Sequence, residues 1–77
     1  MTPIAFEQRL QSLLRREPFL PFIIELNDGE RWVVGQREAL MYQNGGTAIY
    51  FRLNGEFDFV DCGNVKQFLE LAIKTSA

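Results

Sequence analysis

Phe6, Leu10, Leu13 and Leu14 recur at i, i+4, i+7 and i+8, which gathers them on one stripe of a helix. Gln8, Arg9, Gln11, Ser12, Arg15 and Arg16 fall on the other side. Thr2 supplies a hydroxyl to cap the free amides, and Pro3 stands where no amide is needed. Pro18 disfavours helical backbone at Glu17, so the spacing predicts a helix over about residues 3–16.

From Pro21 the period changes to two, and the run to Gly35 reads as a hairpin over about 21–35. A three-residue loop, Asn27-Asp28-Gly29 with Gly29 left-handed, pairs Glu25 with Arg31, Ile24 with Trp32 and Phe22 with Val34. A two-residue loop at Asp28-Gly29 sets Glu25 against Trp32, and a slip of one residue turns every side chain to the wrong face. The run from Thr47 to Asp61 repeats the device. A loop at Leu53-Asn54-Gly55 pairs Arg52 with Glu56 as an ion pair, Phe51 with Phe57, Ile49 with Phe59 and Tyr50 with Asp58. This register is expected to turn the Phe51 side of the second hairpin toward the core.

Between the hairpins, residues 39–42 read as a short strand closed by an Asn44-Gly45-Gly46 turn. Residues 64–74 allow two readings. Val65, Phe68, Leu69, Ala72 and Ile73 fit a helical stripe with Asn64 as its cap, while Val65, Leu69, Leu71 and Ile73 also fit a strand. The second faces of the hairpins carry Ile23, Val33, Tyr50 and Val60, so the sheet is apolar on both sides and needs a second cover. The pattern therefore predicts one α+β domain over 1–77. Its N-terminal helix leads into a strongly bent five-stranded antiparallel sheet or small barrel, and the last segment is a short helix or a closing strand.

Composition narrows the class. A chain of 77 residues has room for one domain and buries only about 60% of its unfolded surface. Its 47% apolar content, seven Phe and net charge of −2 belong to a chain that folds. The single cysteine, Cys62, leaves no intramolecular disulfide, which points to a reducing cytoplasm. No apolar run is long enough to span a membrane, and the N-terminal residues lack the pattern of a leader peptide.

Leu14-Arg15-Arg16, Pro18-Phe19, Pro21-Phe22 and Asp28-Gly29 form an LRR-x-PF-x-PF…DG pattern. It resembles a family of short bacterial proteins to which no activity is assigned, and so implies a fold relationship and little else. More distantly, Leu26-Asn27-Asp28-Gly29 and Cys62-Gly63-Asn64-Val65 are similar to the two motifs of Sm-like RNA-binding proteins. That resemblance implies a helix followed by a bent five-stranded barrel, with RNA held near the Gly63-Asn64 turn. In that family an Arg stands before the Gly, where this chain has Cys62.

The chemistry is mostly subtractive. No His is present, which removes the usual general base at neutral pH and the commonest metal ligand. One Cys cannot build a Cys/His zinc site within a chain, and Gly45-Gly46 reads as a turn rather than a phosphate cradle. Glu56, Asp58 and Asp61 read as solvated strand charges, and Cys62 as a half-buried residue with Lys66 as its nearest cation in sequence. Arg9, Arg15 and Arg16 form the basic cluster; with Asn64 they are the candidate RNA contacts. Trp32, Tyr42 and Tyr50 are the candidate stacking aromatics, Trp32 being placed on the core face. The expectation is a non-enzymatic interaction module without cofactor or metal. It either self-associates or meets a protein partner through Ile23, Val33, Tyr50 and Val60, with RNA binding as the alternative and no membrane role.

Overall fold

Helix α1 (Pro3–Leu14) opens as its sequence requires: the Thr2 side chain accepts the Ala5 amide at 3.2 Å, and Pro3 fills a position that has no hydrogen bond to lose. The computed structural model describes residues 1–43 and 45–71. Phe6, Leu10 and Leu13 are fully buried, and Leu14 packs at their margin. Arg15 caps the helix, and its amide donates to the Gln11 carbonyl.

The carbonyls left open at this end are met from a distance. Arg37 lies in a 3-10 turn (Arg37–Ala39) and donates to the carbonyls of Leu14 and Arg16, each at 2.7 Å. Its guanidinium also lies 5.5 Å from the centre of the Phe19 ring. Replacing Arg37 by Ala should therefore cost about 1–2 kcal/mol, since charge-assisted bonds to otherwise open carbonyls are lost from a half-exposed site. Urea unfolding of the variant measures this; an unchanged midpoint would show that water caps the helix equally well.

Among the described residues six strands follow: β1 (Phe22–Leu26), β2 (Arg31–Val34), β3 (Leu40–Gln43), β4 (Thr47–Phe51), β5 (Phe57–Asp61) and β6 (Val65–Glu70). They form two antiparallel three-stranded sheets, ordered β2-β1-β6 and β3-β4-β5, and neither closes into a barrel. Both hairpin registers are those the turns demand. Ile24 faces Trp32 and Glu25 faces Arg31 in the first; Ile49 faces Phe59 and Phe51 faces Phe57 in the second. The turns are built alike. Gly29 and Gly55 take φ near +90°, and the Asp28 and Asn54 side chains accept the amides of Glu30 and Glu56.

Helix α1 lies against the inner faces of the sheets. The Phe68 ring lies 5.8 Å from Phe6 of the helix and 6.0 Å from Phe22 of β1. Ile24, Val34, Leu40, Ala48, Val60, Cys62 and Val65 complete this core.

Two expectations are corrected and one open reading is resolved. The described strands form two three-stranded sheets rather than one bent five-stranded sheet or a small barrel, and the last segment adds β6 to the free edge of β1. That segment, left open between a helix and a closing strand, is a strand through Glu70. The helical look of Val65 and Phe68 comes from the pairing with β1: the register shifts between Glu25 and Leu26, so Leu26 faces Val65 while Glu25 faces Gln67. The extra residue, Lys66, lets two residues three apart both point inward. Ala72 and Ile73, the end of the expected stripe, and Asn44 of the turn lie outside the described residues. The other correction concerns the second hairpin, whose inward side is Ala48, Tyr50 and Val60 rather than Ile49, Phe51 and Phe59.

Candidate functional site

The β3-β4-β5 sheet turns its larger apolar side chains outward. Met41, Ile49 and Phe59 are direct cross-strand partners and make one row over all three strands. Phe51 and Phe57 make the next row, with ring centres 6.3 Å apart, and Phe57 meets Phe59 edge-on at 5.9 Å. Phe59 is 68% exposed, Met41 57%, Phe57 56% and Phe51 37%; Ile49, between them, is half-buried. With side chains of this size the uncovered area is on the order of 400 Å², within the range of the largest patch that monomers show and often functional. No charged side chain interrupts the two rows.

The inner side of the same hairpin explains the inversion. Tyr50 stacks on Trp32 of β2 with ring centres 5.3 Å apart, and its hydroxyl donates to the Val33 carbonyl at 2.7 Å. Arg52 lies over both rings, 5.1 Å and 5.4 Å from their centres, and donates to the Asp58 carboxylate at 2.7 Å. This replaces the expected ion pair of Arg52 with Glu56, whose backbone carbonyl accepts the Arg52 amide instead. The Asp58 hydrogen bond raises the Arg52 pKa above its ordinary value, so this guanidinium stays charged. The stack gives the Tyr50 hydroxyl, the Arg52 guanidinium and the Asp58 carboxylate each a partner, which a buried Phe51–Phe57 pair could not offer to Asp58 and Arg52.

An open cleft of about 540 Å³ lies where β2 ends and β4 ends, lined by Val33, Gly35, Gln36, Glu38, Ala39, Tyr50 and the residues Phe51 to Leu53. Glu38 is the one carboxylate in that lining, and the Arg52 beside it is already paired. Among the described residues no group of three or more His, Cys, Asp or Glu could hold a metal ion, and no buried side-chain nitrogen or oxygen lacks a partner. No helix among them is long and apolar enough to cross a membrane.

The residues singled out from the sequence are dispersed. Arg9 and Arg16 both reach the Glu70 carboxylate of β6, while Arg15 is exposed at the helix cap. Asn64 lies in a 3-10 turn (Cys62–Asn64), its carbonyl accepting the Asn27 amide, at the other end of β6 from Glu70. The structure thus does not bring Asn64 together with the Arg cluster. Ile23 is half-buried and Val33 exposed on the outer face of the first sheet. Tyr50 is half-buried in the stack and lines the cleft, while Val60, only 2% exposed, belongs to the core and is corrected from surface to interior. Cys62 is buried, and burial is the main cause that raises its thiol pKa, followed by a hydrogen bond with Asp61.

Two glutamates tie the first sheet together. Glu25, 6% exposed, accepts from Gln67 at 2.6 Å and from Arg31 at 2.9 Å, so its carboxyl is held below the ordinary value of 4.5, chiefly by the Gln67 bond. Glu70 is lowered in the same way, first by its bond with Arg16. A carboxyl depressed in the folded state contributes stability that is complete above its unfolded pKa and lost as pH falls through the folded one. The melting temperature should hold from neutrality down to about pH 5 and fall below it. Glu25→Gln and Glu70→Gln should each flatten that fall; slopes equal to the parent's would assign acid unfolding to other groups.

The exposed face was missed because alternation marks two sides without saying which is inner. The Arg52-Asp58 pair pointed the other way: two charges beside Tyr50 mark that side as the solvent face by pattern alone, and only the stack on Trp32 turns it inward. Comparison with protein-family models, with curated proteins and with solved structures finds no match.

Proposed function

We propose that this chain is a non-enzymatic protein-interaction module whose working surface is the outer face of the β3-β4-β5 sheet. One observation carries the reading: Met41, Phe51, Phe57 and Phe59 are exposed together on a regular sheet whose opposite side is already packed. A 77-residue chain has little stability to spare, and leaving three Phe in water forgoes burial it could use. Such a patch marks a contact surface in soluble proteins. The rest of the molecule offers chemistry little purchase, because its Arg side chains are largely engaged within the fold and the cleft holds one carboxylate.

The test is a double variant, Phe57→Thr/Phe59→Thr, which keeps strand preference while removing both rings. At sub-micromolar concentration the parent should bind an apolar fluorescent dye in its native state, and the variant should lose most of that binding. The variant's unfolding free energy should stay within about 1 kcal/mol of the parent's. Absence of dye binding by the native parent, or a loss of stability on the scale of a core Phe, would mean that the rings serve the fold and would end this reading.

A further inference from the structure

We infer that the occupant of this face is a second copy of the same chain, packed sheet against sheet about a two-fold axis. The inference rests on the reading of the face given above and adds the identity of its partner. Its first support is the chemistry of the surface. The rows Met41–Ile49–Phe59 and Phe51–Phe57 contain no charge and no hydrogen-bonding side chain that would ask for a complementary group on a foreign protein. A surface of this kind is complementary to itself, which is what a two-fold contact requires, since the same patch serves both partners.

Size gives the second support. Two such faces bury on the order of 1,000 Å² in total once the side chains at their margins are counted, near the lower limit for a specific interface. This predicts a weak, concentration-dependent dimer. A β-sheet face presents regular ridges, and two twisted sheets meet at a spacing of about 10 Å with strands inclined by about 30°. In that arrangement the Phe rings of one copy enter between the rows of the other. Charge is the third support. A net charge of −2 per chain sets up little repulsion between copies, whereas an acidic chain with Glu56 and Asp61 flanking the patch is poorly suited to an anionic lipid surface.

Sedimentation equilibrium of the full chain, from low to high micromolar, tests the inference. The parent should pass from monomer to dimer over that range. Phe59→Arg, which puts a charge within the contact at its most exposed ring, should weaken association by at least about tenfold, and Met41→Lys, on another strand of the same face, should do likewise. Circular dichroism and urea unfolding establish that each variant folds, and Met41→Lys serves where Phe59→Arg does not. Dimers that persist in the folded variants would overturn the inference, because the contact would lie elsewhere. A parent that stays monomeric at high micromolar concentration would overturn it as well. If that monomer still binds the apolar dye, the face remains a docking surface for another partner; if it does not, the reading of the face fails too.

Discussion

Replacing Phe22 by Ala should remove about 3–5 kcal/mol of stability, the full range for a buried aromatic cut back to a methyl group. Phe22 is completely buried in β1, between Phe19 at 6.1 Å and Phe68 at 6.0 Å, with the helix side chains above it. Its removal leaves a cavity whose walls belong to α1, β1 and β6, so no single element can shift to fill it. A domain of this length has between about 4 and 12 kcal/mol in all, which makes the variant marginal or unfolded at 37 °C. Chemical denaturation at 10 °C should still give a folded baseline with a much lower midpoint. A loss under about 1 kcal/mol would show that the ring is not enclosed as described.

Gly46→Ala should cost about 2–5 kcal/mol, from two causes that can be separated. Gly46 has φ +83°, a conformation that costs a residue with a Cβ about 1–2 kcal/mol. The added carbon would also lie 2.7 Å from the Cys62 Sγ and 3.2 Å from the Pro3 Cβ, closer than packed atoms tolerate, and overpacking adds about 1–3 kcal/mol. Strand β4 begins one residue later, and the Gly46 carbonyl accepts the Cys62 amide, so the backbone there cannot easily move away. Cys62→Ala removes the sulfur. In a double-mutant cycle it should return part of the steric cost and none of the backbone cost. Strict additivity of the two changes would show that Sγ is not the obstruction.

The elements with a local cause were legible in the chain. Thr2-Pro3 and the stripe of Phe6, Leu10 and Leu13 identify the helix, and two Asx-Gly turns with charged or aromatic partners at matching offsets give both hairpin registers. What stayed open or was misassigned depends on tertiary choice. The bulge at Lys66 gave β6 a helical spacing that only its pairing with β1 explains. The second hairpin carries apolar residues on both faces, and its orientation is decided by Trp32, a residue of another sheet on which Tyr50 and Arg52 stack. Arg37 illustrates the same limit. It caps a helix that ended more than twenty residues earlier in the chain, a role that no local pattern announces.

The outward orientation of the second hairpin is best tested by solvent paramagnetic relaxation of the aromatic protons, recorded on dilute protein with an inert soluble radical. Strong broadening of Phe57 and Phe59, with Phe6, Phe22 and Phe68 unaffected, is the predicted pattern. Phe57 and Phe59 as well shielded as Phe22, with Tyr50 open to the radical, would contradict it.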